Sequence, residues 1–155
     1  MKWLMTEQVI PRIKNHFKTN PISHRTLLTA GIGESFLAEL IKDFEDSLPN
    51  DVKLAYLPNY GMVRLRLTSS GANEKALHQQ LDILFAQLTT LVKEYLVTDQ
   101  DETMEMVVGK MLKSANQTVA TAESCTGGFI GHLLSKHAGS SQFYTGGIIS
   151  YDNRI

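Results

Sequence analysis

The residues best placed to do chemistry fall in one run, Ala122-Glu123-Ser124-Cys125-Thr126-Gly127-Gly128, between a short apolar segment and the start of a helical pattern. At a strand-to-helix junction such a run sets a hydroxyl and a thiol beside main-chain amides. Amides at a helix start bind anions, and glycines let a substrate approach the backbone with no β-carbon in the way. Ser124 could attack a carbonyl carbon there, with amides near Thr126 and Gly127 receiving the oxyanion that develops. The pattern makes Ser124 the candidate nucleophile and Cys125, Thr126, Gly127 and Gly128 the candidate oxyanion and substrate-binding positions.

The same run has plainer readings. Serine often caps helices, and on spacing alone a cap suits Ser124 better than catalysis. Cys125 could be the nucleophile, because a helix start lowers a thiol pKa, yet a single cysteine beside small residues reads first as packed apolar filler. A phosphate loop of the Walker type needs lysine after its last glycine, where Phe129 stands. His132 and His137 follow on the next helix, but neither sits at a telling position for a base. His132 is two helical turns on and directed away from the strand end, and His137 reads as a partner of the helix C-terminus. Gly31-Ile32-Gly33 invites a dinucleotide reading, but Phe36 stands where the third glycine belongs, so a plain turn is the better account. Arg64 and Arg66 read as a solvated basic stripe, with a phosphate contact as the alternative.

The elements that must carry these residues follow from periodicity. Leu4, Met5, Val9, Ile10, Ile13 and Phe17 fall near helical spacing with Pro11 among them, predicting a kinked or late-starting helix with Lys14 and Lys18 near its end. Arg25 to Ala30 reads as a strand entering the Gly31-Gly33 turn. Phe36, Leu37, Leu40, Ile41, Phe44 and Leu48 then share a helix face. Alternation at Val52, Leu54 and Tyr56, a turn at Pro58 to Gly61, and alternation at Val63, Leu65 and Leu67 predict a hairpin. Leu77, Leu81, Leu84, Leu88, Leu91 and Tyr95 mark a long amphipathic helix. Residues 24–96 therefore read β-α-β-β-α. After a polar stretch, a helix from Met104, a strand at 118–122, a helix from Phe129 and a strand at 147–151 follow. The fold class expected is α+β: a small β-α-β-β-α module, then the first βαβ part of an incomplete α/β domain. The divisions expected are a connecting helix over 1–23, the module over 24–97 and the βαβ part over 98–155.

Composition narrows the function classes. The 155 residues are 43% hydrophobic and 20% charged with a formal net charge of -1, an ordinary globular profile. A protein built on phosphate contacts carries a basic excess, so nucleic acid is disfavoured as a partner. One cysteine excludes an intrachain disulfide and a thiolate metal cluster. With no secretory signal and no membrane-length apolar run, the expected compartment is the cytoplasm, with no membrane partner.

Thr121 to Gly128, followed by Gly139-Ser140-Ser141 and Gly146 to Asn153, closely resembles the amidohydrolase domain of the CinA (competence/damage-inducible protein) family. The upstream segments at Met1 to Met5, His24 to Leu27 and Gly31 to Ser35 resemble the stretch that precedes it, and residues 24–96 resemble that family's KH-like connecting domain. The resemblance implies hydrolysis of the carboxamide of nicotinamide mononucleotide to nicotinate mononucleotide and ammonia, with no cofactor or metal for that step. It puts the nucleophile on Ser124 and makes Tyr151 a substrate contact. It puts the base on a lysine immediately after Ile155, so these residues alone are expected to be inactive. It also implies a homodimer. Two rival readings stay open: a non-catalytic connecting or dimerising module, and an RNA-binding KH-like module. Against the second, no glycine-rich loop joins two successive helices.

Overall fold

The structure, a computed structural model, describes residues 2–17, 20–152 and 154. Lys18, expected near the end of the first helix, and Asn153 and Ile155 of the terminal segment lie outside the described residues. The chain divides into two compact units, one ending at Asp99 and one beginning at Gln100.

The first unit opens with α1 (Lys2–Leu4), a π-helical stretch (Met5–Val9) and α2 (Ile10–His16). Pro11 has no N–H to donate, and its ring would crowd the carbonyl of Glu7 in a regular helix. The wider π winding just before it relieves that conflict, and the amide of Ile10 bonds to the Met5 carbonyl. The helix thus starts early and absorbs the proline by a change of winding. None of its described residues is buried.

A four-stranded antiparallel sheet follows, in the order β2-β3-β1-β4, built from β1 (Ile22–Ala30), β2 (Val52–Asn59), β3 (Met62–Ser70) and β4 (Leu96–Thr98). The hairpin between β2 and β3 turns on Tyr60 and Gly61, both at positive φ (45° and 78°), the pair of left-handed residues that matches strand twist. Alternation sends Val63, Leu65 and Leu67 inward, and β1 sets Leu27 opposite Leu65. The long helix α5 (Glu74–Leu91), whose start is capped by Asn73 accepting from the Ala76 amide, adds Leu81 and Leu88 to this core.

Three expectations for this unit need correction. The single helix read after Gly33 is two, α3 (Glu34–Leu40) and α4 (Lys42–Asp46), broken at Ile41 (φ -109°, ψ 15°). Leu37, Ile41 and Phe44 reach the core across the break, while Phe36 (77% exposed) and Leu40 are left outside. β1 begins at Ile22, earlier than Arg25, because its ladder with β3 extends to Ser70. The short β4 was not foreseen. The order is therefore β-α-α-β-β-α-β.

The second unit holds α6 (Met104–Ser114), β5 (Val119–Glu123), α7 (Phe129–Ser135), a 3-10 turn (Ser140–Gln142) and β6 (Tyr144–Ile149). β5 and β6 are parallel and joined through α7, so a βαβ crossover is present and the α+β class holds. Phe143 lies against Gly109 of α6, where a Cβ would come within 2.8 Å of its ring. Met111 of α6 is exposed. β6 spans 144–149, not 147–151. Its ladder can extend only as far as β5 supplies partners, and the Ser150 amide closes it on the Glu123 carbonyl at 2.8 Å. No helix among the described residues is long and apolar enough to cross a membrane.

Candidate functional site

β5 runs straight into the turn Ser124 to Gly128, and α7 starts at Phe129. Gly127 and Gly128 both adopt left-handed φ (58° and 88°), which folds the chain sharply back over the strand end. Within the turn the Gly127 amide bonds to the Ser124 carbonyl and the Phe129 amide to the Thr126 carbonyl, both at 3.0 Å. Ser124, Cys125, Thr126 and Gly127 are exposed, and Gly128 is half-buried. The amides of Cys125, Thr126 and Gly128 have no backbone acceptor among the described residues.

The helix start is not vacant. Glu123, the last residue of β5 and only 5% exposed, takes the Ile130 amide on one carboxylate oxygen (2.9 Å) and the Gly131 amide on the other (2.7 Å). Burial pushes its carboxyl up. The two N–H donors, with the Thr126 and Thr121 hydroxyls, outweigh that and hold it below the usual carboxylate range. A carboxylate on first-turn amides is also favoured by the helix dipole. The amides of Ile130 and Gly131 in the first turn of α7 are therefore occupied by the chain itself.

That corrects the helix-cap reading of Ser124. The N-cap position is Gly128, with no side-chain cap bond, and Glu123 does the capping from the strand side. Cys125 is likewise exposed with a free thiol rather than packed as filler. The signal for Glu123 was in the sequence: a carboxylate closing an apolar strand directly before a glycine turn.

His132 and His137, read as poorly placed for a base, have other neighbours. His132 stacks on Phe129, its own neighbour on α7, with ring centroids 6.4 Å apart. His137 has left the helix and lies 3.5 Å from Glu105, which also takes Lys136 at 2.5 Å. His16, His24 and His78 all belong to the first unit. Arg66, read as part of a solvated stripe, donates to Thr26 at 3.3 Å. Tyr151 stands two residues past the end of β6, 76% exposed, instead of on the strand. Because Ser150 bonds to Glu123, β6 still delivers Tyr151 to the carboxyl end of the strands, where the Ser124 turn lies. Ligands in parallel α/β units bind at that end.

These features define an α+β protein in which a β-α-α-β-β-α-β sheet module precedes a parallel βαβ unit with a serine on its strand-to-helix turn. The Damage-inducible protein CinA KH domain family matches residues 24–98, and the CinA C-terminal domain family matches residues 101–155. A CinA-like protein of Cytophaga hutchinsonii is 42% identical over 155 residues, all of this chain and 37% of the relative. One of Flavobacterium psychrophilum is 43% identical over 97% of this chain and 36% of the relative. One of Salinibacter ruber is 40% identical over 99% of this chain and 37% of the relative. The chain belongs to the CinA family, and it spans a little over a third of the length of these relatives.

Proposed function

We propose that the Ser124 turn is the nucleophilic part of an amidohydrolase site acting on the carboxamide of nicotinamide mononucleotide. The observation that carries this reading is an exposed serine at the carboxyl end of a parallel strand, next to amides of Cys125, Thr126 and Gly128 that no backbone carbonyl takes among the described residues. Ser124 Oγ attacks the carboxamide carbon and its proton passes to a base. The carbonyl oxygen gathers negative charge and is received by one or more of those three amides. The C–N bond then breaks, ammonia leaves with the transferred proton, and water releases nicotinate mononucleotide from the acyl-serine. No metal is called for in these steps. The resemblance assigns the base to a lysine immediately after Ile155, so the activity belongs to a polypeptide that includes it.

With Ile130 and Gly131 committed to Glu123, the phosphate of the substrate has no place at the start of α7. Tyr151, exposed at the same end of the strands, is proposed as a contact to the ring or ribose.

The test is ammonia release from nicotinamide mononucleotide by full-length protein, by its Ser124→Ala variant and by residues 1–155 alone. The expected result is turnover by the first and a loss of at least about 10³-fold in the other two. No turnover by the full-length protein would favour a connecting module without catalysis.

A further inference from the structure

We infer that Glu123 is a positioning residue for the Ser124 turn, holding the nucleophile in place through a carboxylate clamped across the start of α7. The inference rests on the reading of Ser124 as nucleophile, and it adds a residue to that site.

Glu123 is at once the end of a strand and the cap of a helix. Its backbone carbonyl takes the Ser150 amide, tying the end of β5 to the exit of β6. Its side chain takes two successive amides of α7, whose N-cap residue, Gly128, supplies no side-chain cap of its own. One residue thus fixes three chain segments, and the five-residue turn that carries Ser124 is the loop strung between two of them. Both ends of that loop are set by the position of the Glu123 carboxylate.

The surroundings of the carboxylate are close-packed. A Cβ on Gly131 would lie 3.2 Å from the Glu123 carboxylate oxygen and 2.5 Å from the Tyr144 hydroxyl. A side chain at position 131 would displace the Tyr144 hydroxyl and press on the carboxylate. Thr121 is held by Tyr144 at 2.9 Å, and the Thr121 and Thr126 hydroxyls both face the carboxylate. Thr126 is itself in the turn, so the clamp touches the loop at its centre as well as at its ends. Both carboxylate oxygens accept from main-chain amides; a glutamine of the same shape would turn an NH₂ group toward one of the amides.

Nucleophile placement at this level acts on the rate more than on binding, since small misplacements cost catalysis heavily. In full-length protein, Glu123→Gln is expected to lower kcat for nicotinamide mononucleotide at least about tenfold while KM stays within about twofold. Cys125 supplies a second readout that needs no turnover: its exposed thiol is in the same turn. Its iodoacetamide alkylation rate is expected to change at least about threefold in the variant, at temperatures well below unfolding.

A lowered melting temperature with kcat and Cys125 alkylation both unchanged would overturn the inference and leave Glu123 a purely structural cap. If Glu123→Gln does not fold, Thr126→Val decides: a severalfold fall in kcat supports the clamp, and an unchanged kcat overturns it. If the unsubstituted protein has no turnover, the proposed function fails by itself. The alkylation rate then still judges whether Glu123 holds the turn.

Discussion

Glu105 and Glu123 are both largely withdrawn from water, and both remain ionised, by different means. Glu123 is held by main-chain amides. Glu105 sits in the first turn of α6, and burial pushes its carboxyl up; the Lys136 ammonium, its own backbone amide, the Thr103 hydroxyl and His137 bring it down to about 2. Its ordinary value is 4.5, so the folded form binds its proton more weakly than the unfolded chain does. The stabilisation is therefore complete above pH 4.5 and is lost as pH falls from 4.5 toward 2. Lys136→Met is expected to cost about 1 kcal/mol near neutral pH, as a partly exposed pair does, and close to nothing at about pH 2. Urea unfolding of both proteins at the two pH values checks this, and an equal cost at both would contradict it. The pairing itself was not legible beforehand. Glu105, Lys136 and His137 are far apart in sequence, and only the packing of α6 against α7 brings them together. The turn that carries Ser124 was legible because the serine and its glycines are adjacent in sequence. Glu123 was in view in the same motif, but its partners lie beyond the turn, and so its role was not.

The elements follow the periodic signals closely where those signals are long. The β2-β3 hairpin and most of α5 were foreseen, since alternation and heptad-like spacing persist over many residues there, but Tyr95, expected on the helix, lies past its end at Leu91. The break at Ile41 was not, because both short helices keep an apolar period and no proline or glycine marks the joint. β4 has only three residues, too few to display a period. In the second unit the missing information was steric. Gly147 faces Thr121 across the parallel ladder, where a Cβ would stand 2.2 Å from the Thr121 hydroxyl and 3.0 Å from its backbone carbonyl. Gly127 has open space around it but a left-handed φ of 58°. The two glycines are needed for different reasons, and substitution separates them. Gly147→Ala is expected to cost about 2–3 kcal/mol through overpacking against backbone, and Gly127→Ala about 1 kcal/mol through strain alone. Equilibrium unfolding in urea measures both; equal costs would show that the ladder yields at Gly147.

At the scale of the whole molecule, family membership poses a question that the fold helps to answer, because the KH name evokes nucleic-acid binding. Modules of that kind grip a nucleic-acid backbone with a Gly-x-x-Gly loop. Here the two successive helices α3 and α4 are joined at Leu40-Ile41-Lys42, with no glycine, and the Ile41 side chain is buried in the core instead of facing a ligand. Charge points the same way. The chain carries a net charge of -1, Arg25 is paired with Asp82 at 2.7 Å, and Arg66 is bonded to Thr26. Affinity for a polyanion rests on cations free to displace its counterions, and each phosphate contact adds to the dependence on salt. The protein is therefore expected to show no binding to single-stranded RNA at roughly micromolar concentration and low salt, with no measurable salt slope. Fluorescence anisotropy of a labelled oligonucleotide across a salt series makes the measurement. Tight binding that weakens steeply with salt would mean that the sheet module grips RNA without a glycine loop, and the functional reading would then have to move from the Ser124 turn to the first unit.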